Sequence, residues 1–146
     1  MLLLTKIFHF EMAHAIFGYS GACKNIHGHS YELQVTVTSG EKGQSFIPAP
    51  GFILDFKELK QIVTSTIIQL FDHKLVLSRD YLAKIQDLHS QENLLIWEAE
   101  PTAENMLIFI QRILRENLPP AIRLAELKLY ETKNSYATWI NTDTGS

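Results

Sequence analysis

His27-Gly28-His29-Ser30-Tyr31-Glu32-Leu33-Gln34-Val35-Thr36-Val37-Thr38 alternates residue by residue. His27, His29, Tyr31, Leu33, Val35 and Val37 take one parity; Ser30, Glu32, Gln34, Thr36 and Thr38 take the other. That period predicts a half-buried β-strand, in which side chains at i and i+2 share a face. Two histidines therefore stand in phase with an apolar row, where an unpaired imidazole is costly. Joint ligation of an ion removes the cost. Residues 2–15 repeat the pattern: Phe8, Phe10 and Met12 share the parity of His14, against His9 and Glu11. An antiparallel neighbour of this kind brings His14 beside His27 and His29, and Gly28 keeps bulk out from between the pair. Three neutral imidazoles with an open fourth position describe a catalytic zinc site, since a structural site is closed by four protein ligands. The same ligand set also accepts iron or another divalent ion.

Outward from this pair, residues 16–26 carry two glycines and read as a loop. Residues 55–73 read as a helix with Asp55 and Glu58 as a capping box and Leu59, Ile62, Val63, Thr66 and Leu70 as its apolar stripe. Residues 74–100 give a weaker signal, with a short helix expected at 81–88 and a short extended piece at 94–97. Thr102 is the expected N-cap of a second helix with the stripe Met106, Leu107, Ile110, Ile113 and Leu114, stopped by Pro119-Pro120. Strands at 122–131 and 135–140 flank a turn at Lys133-Asn134-Ser135. The order β-β-α-α-β-β predicts an α+β domain: a four-stranded antiparallel sheet with two helices on one face. Its edge strands need cover, which favours oligomerisation.

With 146 residues, the chain fits one domain with a core large enough to need no staples. A net charge of −3 lacks the basic footprint of a nucleic-acid binder. The single cysteine excludes an intrachain disulfide and suits a reducing cytoplasm. Met1-Leu2-Leu3-Leu4 is too short for a signal-peptide core or a membrane span, so no membrane partner is expected.

Four further residues are candidates for chemistry. Cys23 lies four residues before His27. A free cysteine is usually a small buried hydrophobe, but beside a cation it becomes an available thiolate. It reads equally as a fourth metal ligand or as a base. Asp72-His73 ends a helix, where the macrodipole alone favours a cationic histidine; the alternative is a proton relay. Glu131 shares the parity of Ala125, Leu127 and Leu129. It either reaches solvent at a strand end or accepts paired N–H bonds from a heterocycle. Glu104-Asn105 reads as an ordinary acidic first turn, and His9 and His89 as ordinary surface histidines.

Ala13-His14, Cys23-x-x-x-His27-Gly28-His29, Leu54-Asp55-Phe56-x-x-Leu59-Lys60, Asp72-His73, Pro101-Thr102-Ala103-Glu104-Asn105 and Tyr130-Glu131-Thr132 with Tyr136 occur in this order over nearly the whole chain. Together they resemble the 6-pyruvoyltetrahydropterin synthase and 6-carboxytetrahydropterin synthase family, whose tunnelling fold agrees with the element order. The resemblance implies zinc held by His14, His27 and His29, Cys23 as proton acceptor, Asp72 and His73 as a proton relay, and Glu131 as the anchor of a pterin ring. It implies 7,8-dihydroneopterin triphosphate as substrate and a homo-oligomer, a hexamer built from two trimers, with active sites between subunits. The short spacing from Cys23 to His27 resembles the bacterial 6-carboxy enzymes of queuosine biosynthesis, which release acetaldehyde and triphosphate. The alternatives are the 6-pyruvoyl product by triphosphate elimination, and a non-catalytic zinc-stabilised pterin-binding protein. The segment 74–100 is longer than the family's usual link. Lys24, Lys74, Arg79 and Lys133 are the candidate cations for the triphosphate.

Overall fold

The computed structural model describes residues 1–143. β1 (Leu4–His14) and β2 (His27–Thr38) form an antiparallel pair in which His14 faces His27 and Met12 faces His29. β5 (Arg123–Thr132) pairs with β2, and β6 (Ser135–Ile140) with β5, both antiparallel. These four are the expected strands. The sheet itself has six, because β3 (Lys74–Ser78) lies parallel to β1, and β4 (Leu94–Trp97) parallel to β3. Its order is β4-β3-β1-β2-β5-β6, which corrects the four-stranded, wholly antiparallel expectation. The physical reason lies in β3. Val76 joins the main core while Leu75 and Leu77 join a smaller cluster. A strand buried on both faces has no alternation to betray it.

The main core lies between one face of the sheet and two helical segments. Phe8, Phe10 and Met12 of β1 and Tyr31, Leu33 and Val35 of β2 meet Leu127 and Leu129 of β5 there. β5 changes phase through an irregularity opposite Thr36 and Val37, so Leu124 and Leu127 both reach this core despite opposite parity. α4 (Ala103–Asn117) covers it with Met106, Leu107, Ile110 and Leu114, and Thr102 caps it by accepting the Asn105 N–H at 3.2 Å.

The other helical segment is α1 (Phe56–Val63), a π-helical stretch (Thr64–Ile68) and α2 (Gln69–Phe71). Asp55 caps it by accepting from the Lys57 N–H at 2.8 Å. Its fully buried residues are Leu59, Val63, Ile67 and Phe71, a strict spacing of four. This replaces the expected stripe through Thr66 and Leu70. In an α-helix, four residues overshoot a turn by about 40°, so such a row drifts off its face. The wider π turn takes up the drift. Thr66 and Ser65 both donate their hydroxyls to the Ile62 carbonyl, at 2.6 and 3.2 Å, where the α ladder would continue.

Beyond β3 the expected helix at 81–88 is two short pieces, α3 (Arg79–Leu82) and a 3-10 turn at Gln86–Leu88. The smaller cluster consists of Ala15, Leu75, Leu77, Tyr81 and Leu82, with Phe17 against it. Among the described residues, no helix is long and apolar enough to cross a membrane.

Candidate metal centre and active site

The register of β1 on β2 sets His14 opposite His27 and diagonal to His29, at the end of the core row. The ring centroids lie 4.6 Å apart for His14 and His27, 5.2 Å for His14 and His29, and 4.8 Å for His27 and His29. One ligand atom from each falls within 4.8 Å of the others, so the group can hold a metal ion.

The hydrogen bonds test that fit. The His14 Nδ1–H donates to the Pro101 carbonyl at 2.7 Å, and the His27 Nδ1–H to the Asn25 carbonyl at 2.7 Å. A carbonyl only accepts, so in the neutral rings both Nε2 atoms carry bare lone pairs. Those two atoms face each other at 3.1 Å. The third, His29 Nε2, is buried with no partner. Two bare lone pairs facing each other beside a third buried nitrogen without a partner are unfavourable without a cation among them. Tetrahedral zinc with Zn–N bonds of about 2.0–2.1 Å wants its nitrogens roughly 3.3 Å apart. The carbonyls behind His14 and His27 are also the usual outer support of a metal-ligating histidine. The residues present fit the metal.

Burial, opposed by the Pro101 hydrogen bond and reinforced by charge on His27 and His29, lowers the His14 pKa to about 4. Burial also lowers that of His29, partly opposed by the Glu131 carboxylate. Both rings are therefore neutral, lone pairs free, near pH 7.

Two clefts meet at the strand segment Gly28–Ser30. The first, about 560 Å³, is lined by His9, His29, Glu32, Tyr130, Glu131 and Lys133, among others. It brings the predicted Glu131 to the triad, together with His9, which the sequence reading passed over. The second, about 350 Å³, opens on Glu11, His29, His73, Lys74 and Asn93. Asp72 ends the helical segment, and its Oδ1 accepts the Glu11 N–H at 2.9 Å. Its Oδ2 lies 3.0 Å from His73 Nδ1. The Glu11 N–H holds its carboxyl below the usual carboxylate range, with His73 adding to the effect. His73 adopts φ 62°, uncommon for a non-glycine residue, and its own N–H donates to the Glu11 carbonyl at 2.7 Å.

Cys23 is exposed on a 3-10 turn (Ala22–Lys24) between β1 and β2. It is not part of the metal-binding group found among the described residues. A Cβ on Gly28 would meet only the Met12 carbonyl oxygen at 3.8 Å, an ordinary contact, so a single methyl at this position does not crowd the triad. Of the candidate cations, Lys74 and Lys133 line the clefts, whereas Arg79 is paired with Glu98 at 2.8 Å. The partners that sequence reasoning missed are Pro101, Asn25 and Glu11, which act here through backbone groups and so leave no side-chain signal.

A family model described as 6-pyruvoyl tetrahydropterin synthase matches residues 3–141. The chain belongs to that family. It is 30% identical over 145 residues to a 6-carboxy-5,6,7,8-tetrahydropterin synthase of Haemophilus influenzae, covering 95% of this chain and 99% of the relative. It is also 32% identical over 122 residues to a 6-pyruvoyl tetrahydrobiopterin synthase of Pongo abelii, covering 82% of this chain and 70% of that one. Among solved structures, the 6-pyruvoyl tetrahydropterin synthase of Caenorhabditis elegans superposes with a TM-score of 0.67 at 20% identity, over 97% of this chain and 96% of its own. This member of the family has the predicted α+β tunnelling fold, with the two added strands described above.

Proposed function

We propose that the protein is a zinc-dependent 6-carboxy-5,6,7,8-tetrahydropterin synthase, converting 7,8-dihydroneopterin triphosphate to 6-carboxytetrahydropterin with loss of acetaldehyde and triphosphate. The observation that carries this reading is the triad itself: three imidazole nitrogens, two fixed as acceptors by carbonyls and one buried without a partner, at the junction of two clefts. His14, His27 and His29 hold the zinc. Bound there, it supplies Lewis acidity toward oxygens on the substrate side chain.

The chain's own residues do the rest. The Glu131 carboxylate accepts the ring N–H and amino hydrogens of the pterin in the larger cleft, so remote binding orients the reacting carbon. The Cys23 thiolate takes a carbon-bound proton. His73 moves protons from the second cleft, oriented through Nδ1 by Asp72. The Asp72 carboxylate is fixed in turn by the Glu11 backbone.

Support for the 6-carboxy product comes from the three residues between Cys23 and His27 and from the Haemophilus influenzae relative, matched over nearly its whole length. The Pongo abelii relative favours the pyruvoyl product as the second reading. Free edges at β4 and β6 and the uncovered face of the sheet suit a homo-oligomer, which we propose to be a hexamer with subunits completing one another's sites. The deciding experiment is mass spectrometry of products from zinc-loaded protein and 7,8-dihydroneopterin triphosphate, with Cys23→Ala alongside. 6-Carboxytetrahydropterin plus acetaldehyde, lost in the variant, is the expected result. A pyruvoyl product establishes the second reading. Substrate bound and left intact by both proteins establishes a non-catalytic pterin binder instead.

A further inference from the structure

The loop between β1 and β2 carries Cys23, and it is held at three points. The Ile16 N–H donates to the Cys23 carbonyl at 2.8 Å and closes the loop on itself. The Phe17 N–H donates to Glu100 Oε1 at 2.6 Å. The Tyr81 hydroxyl donates to the Lys24 carbonyl at 3.2 Å, one residue beyond the thiol. The last two holds come from the segment 74–100, the part of the chain without an assigned role.

That segment is built to hold something. Tyr81 is buried in the smaller apolar cluster with Ala15, Leu75, Leu77 and Leu82, and Phe17 packs against it. Its position is fixed from below, because the Ser78 hydroxyl oxygen accepts the Tyr81 N–H at 3.0 Å and caps α3. Lys84 Nζ lies 5.4 Å from the centre of the Phe17 ring. The cluster thus grips the loop on its apolar side while the two hydrogen bonds fix its backbone.

Glu100 does a second thing. Its carbonyl accepts the Thr102 N–H and the Asn105 side-chain amide, each at 2.9 Å, which locks the chain at the start of α4. The next carbonyl, that of Pro101, is the one that holds His14 Nδ1. One dipeptide therefore orients a ligand of the triad and holds the loop that bears the thiol.

We infer that Glu100 and Tyr81 are positioning residues: they seat the Cys23 loop on the segment 74–100 and set the thiol's place relative to the histidine triad. The inference rests on the reading of Cys23 as proton acceptor. Neither side chain needs to touch substrate. Glu100 serves as an acceptor, a role an amide oxygen also fills, though more weakly than a carboxylate. Tyr81 serves through its hydroxyl, its ring being core.

The test uses full-length protein with Glu100→Ala, Glu100→Gln and Tyr81→Phe. Three readouts are compared with the wild type: zinc stoichiometry, steady-state kinetics, and amide hydrogen exchange along 15–26. Glu100→Ala is expected to speed exchange across 16–24, leave zinc at one per chain, and lower kcat about tenfold with KM nearly unchanged. Glu100→Gln is expected to restore both exchange and kcat, and Tyr81→Phe to give a smaller effect confined to the Lys24 side of the loop. Exchange and kcat unchanged in Glu100→Ala overturn the inference. So does a Gln variant as impaired as the Ala variant. Exchange reads the loop without turnover, so failure of the enzymatic reading, seen as an inactive wild type, is separable from failure of the positioning claim.

Discussion

The triad and the thiol are held by different physics. His14, His27 and His29 belong to two long paired strands whose register runs unbroken from Leu4 opposite Val37 to His14 opposite His27. Moving one ligand relative to another means slipping a ladder with seven buried apolar side chains on its core face, from Phe8 to Val37. Cys23 hangs on a loop held by single hydrogen bonds from Glu100 and Tyr81. A metal site wants ligands that do not adjust; a proton acceptor needs a carbon brought to it, and a loop can be tuned. The molecule puts its rigid element under the triad and its adjustable element under the thiol.

The largest expected effect falls on the rigid side. His27→Ala should weaken zinc by more than about a hundredfold, since loss of merely an outer partner costs 10- to 100-fold. Chelator competition reads this directly. Cys23→Ala should leave the same affinity within about twofold, because the thiol lies outside the metal group. Sulfur in the metal's coordination shell by X-ray absorption would break the comparison.

Next comes pH. Folded His14 stays neutral down to about 4, while the unfolded chain takes up its proton near the ordinary value of 6.5. The unfolded state binds the extra proton in that interval, so metal-free protein should lose stability as pH falls from about 6.5 to 4. The total is on the order of 3 kcal/mol at 1.36 kcal/mol per pKa unit. Denaturant midpoints measured across that range should fall; a flat profile would mean the triad is not buried neutral.

Asp72 behaves with the same sign for the opposite reason, since folding favours its charged form and disfavours that of His14. Its carboxyl is held low by the Glu11 N–H, so its contribution is present above the usual carboxylate pKa and lost as pH drops through the lowered value. Asp72→Asn should therefore cost stability at neutral pH and nothing in strong acid, by less than about 1 kcal/mol given its half-open setting. The smallest effect should come from Gly28→Ala, with zinc affinity within about twofold of wild type, because the added methyl meets only ordinary contact. A large loss there would show the strand pair to be tighter than its backbone spacing implies.

The same contrast explains what could be read from the chain. The strands carrying the triad announce themselves by period two, from Phe8 to His14 and from His27 to Val37, and the start of α4 by Thr102. The ligand set is legible because it follows from phase. β3 is not, because Lys74-Leu75-Val76-Leu77-Ser78 is apolar on both sides and alternates on neither. Without β3, the seat beneath the Cys23 loop is invisible, and so is the tie from Tyr81 to Lys24. The tautomers of His14 and His27 depend on the carbonyls of Pro101 and Asn25, groups every residue owns. A one-dimensional pattern cannot say which carbonyl will arrive.

The wide turn at Thr64–Ile68 makes the length of its helix matter more than its spelling. Only Ile67 of those five residues is buried, so most single replacements there should pass with little consequence. Adding one residue is another matter. The π turn already holds one residue more than an α turn, so it has no slack to absorb a second. Everything beyond would swing by about 100°, the angular step of one α-helical residue. Phe71 would then leave the core, and Asp72 would no longer arrive at Glu11. The Asp72–His73 end of the helix is thus vulnerable to an insertion in a stretch that tolerates substitution, a sensitivity that scanning by point mutation would never reveal.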